Sequence, residues 1–287
     1  MTLLELIQAQ SARLTEAGVS FGHGTANAFD EAAWLVQWAL GLPLDALDEQ
    51  AARVIDVHGI AQAGALIERR ITTRKPAAYL TGEAWLQGLP FTVDERVIVP
   101  RSLIAEPLAD GRLDAWLSDR TRRVLDLCTG NGSLAVLAAL AWPEVQVDAG
   151  DLSRDALEVA RVNVDRHGLA GRIRLVESDG LAALRGPYDL ILCNPPYVNA
   201  ASMATLPAEY RAEPALALAG GADGMDFVRV LLRDAPARMT EHAVLVLEIG
   251  HEREHFERAF PRLEAVWLAT SAGDDQLLLL TREALEA

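Results

Sequence analysis

The chain has 287 residues, room for two domains at about 150 residues each, and its 41 acidic and 26 basic residues give a formal net charge of -15. A pI near 4.8 argues against a protein that holds nucleic acid by phosphate neutralisation alone, and 51% hydrophobic with 23% charged residues excludes a disordered tail. The longest strictly apolar run, Leu134 to Trp142, falls far short of the roughly 18 residues of a membrane span.

The N-terminus carries Glu5 and no basic segment, so no secretory signal is expected and the cytoplasm is the expected address. Leu3, Leu6, Ile7, Gln10 and Leu14 recur at helical spacing and predict a first helix over residues 2–17, closed by Gly18. Asn27 is placed to cap a second helix, with Asp30 and Glu31 in its first turn and Gly41 and Pro43 after its end. A third is expected from Asp48 to Arg74, with Val54, Val57, Ala61, Ala65 and Ile71 as its buried stripe and Pro76 as its stop. Residues 1–82 therefore form a small helical domain, expected to recognise the substrate.

Two β-type runs follow, Leu89 to Val93 and Val97 to Val99, separated by Asp94, Glu95 and Arg96. They predict a β-hairpin within a linker over residues 83–101. From Val124 strands and helices alternate: strand to Cys128, helix Ser133 to Trp142, strand Val145 to Asp151, helix Asp155 to His167, and strands Ile173 to Val176 and Tyr188 to Cys193. This is the rhythm of a doubly wound α/β sheet. A helix near Gly224 to Met239, a strand Ala243 to Ile249, a helix Glu252 to Phe260 and strands Ala265 to Leu268 and Gln276 to Leu280 complete residues 102–287.

The chemistry is expected at the strand ends. Gly130 and Gly132, between the first of these strands and its helix, let the backbone turn and approach a nucleotide-like ligand. Together with Ala135 they satisfy a loose G-x-G-x-x-G/A pattern shared by dinucleotide binders and adenosyl-group binders. Asp151 can accept the ribose hydroxyls of either. Asp126 would be awkward beside a pyrophosphate but suits a methionine ammonium or a sulfonium, which favours S-adenosylmethionine. Asp179, followed by Gly180, either meets an adenine amino group or makes a plain turn.

Asn194, Pro195, Pro196 and Tyr197 directly follow an apolar strand. The prolines stiffen the turn and delete two N-H donors. The Asn194 side-chain oxygen and the Pro195 carbonyl can then accept hydrogen bonds from a planar NH2 group, and Tyr197 can pack on it.

Asp126 through Gly132, Asp151, Asp179 and Asn194 to Tyr197 together resemble the class I S-adenosylmethionine-dependent methyltransferases of the N5-glutamine family, over nearly the whole chain. The resemblance implies a Rossmann-like sheet with its last strand antiparallel and S-adenosylmethionine as cofactor. It further implies Asp126, Thr129, Gly130, Gly132, Asp151, Asp179 and Asn194 as cofactor-binding residues. Asn194, Pro195 and Tyr197 would be catalytic, and these three with Pro196 and Arg101 would bind substrate. Val99 to Glu106 resembles the branch that methylates a glutamine of the third large-subunit ribosomal protein, a basic partner. The release-factor branch has Pro, Asp and Thr after that arginine, where this chain has Ser102, Leu103 and Ile104.

Two competing patterns remain. His251 to His255 reads H-E-x-x-H, the helix motif of zinc peptidases, but it follows a strand within a methyltransferase pattern and no metal is expected. The Asn-Pro-Pro-Tyr turn also serves enzymes acting on base amino groups of DNA or RNA. Both halves of this chain are acidic, so stable nucleic-acid binding is not expected.

Overall fold

The computed structural model describes residues 1–287. Helices α1 (Leu3–Glu16), α2 (Ala28–Ala39) and α4 (Val57–Thr73) pack around a core that includes Leu6, Leu35 and Ile67. Their starts are set by polar caps: Thr2 and Glu5 exchange hydrogen bonds in a capping box, and Asn27 and Asp56 accept from the backbone of Asp30 and Gly59.

The single helix expected from Asp48 to Arg74 is two. A short α3 (Leu47–Gln50) ends, the chain runs extended so that Val54 bridges Thr2, and α4 starts after Asp56. The expected stripe is corrected with it, because Val54 and Val57 are 75% and 85% exposed while Ala63, Leu66, Ile67 and Arg70 face inward. Hydrophobic periodicity misplaces this face because a buried arginine occupies one of its positions.

After α5 (Ala77–Thr81), strands β1 (Glu83–Leu86) and β2 (Leu89–Thr92) form the hairpin. Its turn is Gln87-Gly88, with φ of 49° and 75°, the left-handed pair that matches strand twist. The pairing expected between Leu89–Val93 and Val97–Val99 does not form. Val97 and Val99 are buried without a strand partner, and side chains serve instead: the Tyr79 hydroxyl donates to the Val97 carbonyl and Glu213 accepts from the Val99 amide.

Helix α6 (Ala105–Ala109) leads into the main sheet, whose strands are β3 (Arg123–Leu127), β4 (Gln146–Asp151), β5 (Ile173–Glu177), β6 (Tyr188–Cys193), β7 (Met239–Glu248), β8 (Val266–Trp267) and β9 (Leu277–Thr281). Their order is β5-β4-β3-β6-β7-β9-β8. Strands β3 to β7 are parallel and β9 runs antiparallel to both neighbours. This is the Rossmann-like class I arrangement. Helices α7 (Ser133–Ala141) and α8 (Arg154–Arg166) join the first strands, and α9 (Ala200–Thr205), α10 (Asp226–Asp234), α11 (Arg253–Ala259) and α12 (Arg282–Glu286) follow β6. Helix α10 is shorter than expected because Pro236 lies in a following 3-10 turn, and β7 begins at Met239.

The strand order reverses between β3 and β6. In such sheets ligands bind outside the carboxyl ends of the strands at that point. No helix is long and apolar enough to cross a membrane.

Candidate active site

The loop after β3 is fixed from below. Asp126 is fully buried, and one carboxylate oxygen accepts from the Thr129 hydroxyl (2.5 Å) and the Ala135 amide (2.9 Å), tying the loop to the start of α7. Burial pushes its carboxyl up to about 7, and its other oxygen has no partner in the protein. Gly132 has φ of 81°, and a Cβ there would stand 3.2 Å from that of Ala160, so its bare Cα lets α7 approach α8. Asp126, Thr129 and Gly132 thus hold the loop from behind and do not line the cleft it borders.

Gly130 and Asp151 do line that cleft. Asp151, at the end of β4, accepts from the amides of Gly130 and Ser153, both at 2.9 Å, and burial raises its carboxyl above the usual range. Ser178 and Gly180 line the cleft after β5, with Asp179 exposed between them. The walls include Val97, Ile98, Leu152 and Phe227, an apolar surface broad enough for a planar ring.

A second cleft runs beside the first, lined by Arg101, Leu103, Pro195, Tyr197, Tyr210 and Glu248 among others. Pro196 faces the first cleft, and Asn194 lines both. The Asn194 amide makes no hydrogen bond within the protein, so its oxygen is free at the point where the two clefts meet.

Two carboxylates that sequence reasoning had not singled out organise the second cleft. Glu213 accepts from both arms of Arg101, at 2.6 and 2.7 Å, and from the Val99 amide at 2.9 Å. Burial alone would raise its carboxyl, but the paired Arg101 guanidinium, with the His23 imidazole 3.6 Å away, holds it at about 2. Arg101 is therefore a committed partner of Glu213, its guanidinium 5.5 Å from the Tyr210 ring centre. Glu248, at the end of β7, accepts from the Ser102 hydroxyl, the Leu103 amide and the Tyr197 hydroxyl at 2.6, 2.9 and 3.1 Å. The partners of Glu209 and Glu213 leave no signal in the linear sequence. The helical unit contributes too, since Gly22 lines this cleft against the Tyr210 hydroxyl.

His251 and His255 do not share a helix face, because α11 starts at Arg253. Glu252 is taken up by the Asn199 side chain at 2.6 Å and by His255 at 2.5 Å.

The methyltransferase small domain family matches residues 112–211. Curated relatives align along the whole chain. One from Bordetella pertussis is 56% identical over 99% of this chain and 96% of its own length, and one from Burkholderia pseudomallei is 51% identical over 100% and 96%. A third, from Neisseria meningitidis, is 48% identical over 99% and 94%. All three are named ribosomal protein uL3 glutamine methyltransferase. Among solved structures, the hMettl16 catalytic domain in complex with a 3'UTR hairpin superposes with a TM-score of 0.53 at 14% identity, over 79% of this chain and 81% of that one, a likeness of fold.

Proposed function

The chain belongs to the ribosomal protein uL3 glutamine methyltransferase family, and from that membership we propose that the two clefts meeting at Asn194 are the cofactor site and the glutamine site of one transfer reaction. A methyl group passes from S-adenosylmethionine to the side-chain amide nitrogen of a glutamine in a large-subunit ribosomal protein. The observation that carries the assignment of residues is the unpartnered Asn194 amide on the wall common to both clefts.

When bound, S-adenosylmethionine supplies an electrophilic methyl carbon on a sulfonium. The first cleft fits it: Asp151 has the charge and position to accept ribose hydroxyls, Gly130 leaves room for close approach, and the apolar walls suit the adenine ring. Asp179, exposed at the rim between Ser178 and Gly180, would accept from the exocyclic amino group of the adenine. Asp126 and Thr129 act one layer deeper, by fixing the glycine loop.

The acceptor nitrogen is a poor nucleophile because its lone pair is delocalised into the carbonyl. The Asn194 oxygen and the Pro195 carbonyl would accept both N-H groups, turning the lone pair toward the cofactor cleft and favouring the pyramidal nitrogen of the transition state. Tyr197 would pack on the amide plane. As the N-C bond forms the sulfonium's S-C bond breaks, S-adenosylhomocysteine is the leaving group, and the proton shed by the nitrogen passes to water, so no covalent enzyme intermediate is needed. Pro196, on the cofactor side, stiffens the turn.

Capture of the substrate is assigned to charge and to the helical unit of residues 1–82, whose Gly22 reaches the acceptor cleft. A chain of net charge -15 attracts a free basic ribosomal protein and is repelled by rRNA. The test compares free uL3, mature large subunits and a release factor as acceptors for one enzyme preparation, with modified residues located by mass spectrometry. Labelling of a uL3 glutamine in the free protein is expected; preference for the release factor or for mature subunits would overturn the assignment.

A further inference from the structure

We infer that Glu248 is a positioning residue for methyl transfer, acting through the hydroxyl of Tyr197; the inference rests on the acceptor-site reading above. Glu248 closes β7, the strand next to the one that delivers Asn194. Its side chain is buried, and a buried carboxylate is costly unless its oxygens are satisfied. Here they divide by direction. One oxygen takes the Ser102 hydroxyl and the Leu103 amide, which fasten the carboxylate to the segment after the linker. The other takes the Tyr197 hydroxyl. The carboxylate is thus a bridge between a fixed backbone and a ring that walls the acceptor cleft.

The surroundings of Tyr197 make that bridge decisive. A Cβ on Gly250 would lie 2.5 Å from the ring, one on Gly220 2.7 Å from the Tyr197 Cα, and one on Gly224 2.2 Å from its carbonyl oxygen. Three glycines therefore bring bare backbone against this residue. Gly250 meets the ring and fixes which face it presents, while Gly220 and Gly224 hold its backbone, and none of the three supplies a polar group to fix the ring's tilt. Glu248 is the hydrogen-bond partner of its hydroxyl, so the carboxylate sets the tilt of the surface on which the glutamine amide must lie flat. Small errors in that surface misdirect the attacking nitrogen and cost rate more than affinity.

The experiment is a double-mutant cycle with Glu248→Gln, Tyr197→Phe and their combination, reading kcat and acceptor KM with free uL3 and, separately, binding of S-adenosylhomocysteine by calorimetry. Each single change should lower kcat about tenfold, with KM and cofactor affinity within about twofold of wild type. Because both changes cut the same tether, the double variant should be no slower than the slower single one. Ser102→Ala, which loosens the far anchor, should slow wild type severalfold and add nothing when Tyr197→Phe is present. Multiplicative losses of about a hundredfold, a Tyr197→Phe enzyme at full rate, or loss of cofactor binding in Glu248→Gln would each overturn the inference alone. Wild-type enzyme that leaves uL3 unlabelled would overturn the acceptor reading and this inference with it.

Discussion

Arg70 and Glu209, 139 positions apart, meet at 3.3 Å with both side chains buried. The same guanidinium donates to Glu31 at 2.7 Å and to the Ser20 carbonyl at 2.9 Å, and Glu209 also accepts from the Ser20 amide at 3.2 Å and from Arg74 at 3.4 Å. One ionic network therefore locks the helical unit onto the segment that carries Tyr210 into the second cleft and Glu213 behind it against Arg101. The helical unit and the second cleft share a frame.

Removing the arginine should be severe, because it strands Glu31 and Glu209 without their main partner. Arg70→Met is expected to cost about 3–5 kcal/mol of unfolding free energy, the range for breaking a buried pair from one side. Urea unfolding followed by circular dichroism checks this. A midpoint like that of wild type would mean the network contributes little.

Stability should also fall in acid through Glu213. Its carboxyl titrates at about 2 in the fold against 4.5 for a free glutamate. The unfolded state therefore binds the proton more readily, and the stabilisation, complete above pH 4.5, is lost as pH falls toward 2. The amount is about 3 kcal/mol on the conversion of roughly 1.4 kcal/mol per pH unit. Comparing urea midpoints of wild type and Glu213→Gln between pH 6 and pH 3 should show a shallower decline in the variant; parallel declines would assign the acid sensitivity elsewhere.

The two loop glycines should fail in different ways. A Cβ on Gly132 meets Ala160, and the residue sits at φ of 81°, so Gly132→Ala should destabilise the fold by roughly 1–3 kcal/mol from strain and crowding together. Gly130 has open space around it and lines the cofactor cleft, so Gly130→Ala carries only the left-handed strain and should chiefly weaken the cofactor. Calorimetry with S-adenosylhomocysteine beside thermal melts separates them. Equal effects on both measures would erase the distinction.

Asn194→Ala should reduce single-turnover methylation by orders of magnitude while cofactor binding largely survives, since its amide is assigned to the acceptor. A rate within a few fold of wild type would reduce Asn194 to a structural role.

The alternation of strands and helices from β3 onward is legible in the linear chain, and with it the placement of Gly130, Asp151 and Asn194 at strand ends. Those signals are local: apolar period, glycine at a sharp turn, proline after a strand. The family, too, was legible in the order of the motifs. The features that folding alone settles are long-range. The hairpin took Gln87-Gly88 as its turn because strand pairing, not the apolar content of Val97 to Val99, selects register. The third helix broke because Val54 found Thr2, and its buried face includes Arg70, which no hydrophobic pattern would admit. Asp126, read as a ligand contact, turned inward to hold the loop. Glu213 and Glu248 look like surface glutamates in a linear chain. Their partners, Arg101 and Ser102, lie 112 and 146 positions away, and burying a carboxylate is affordable only where folding delivers such donors.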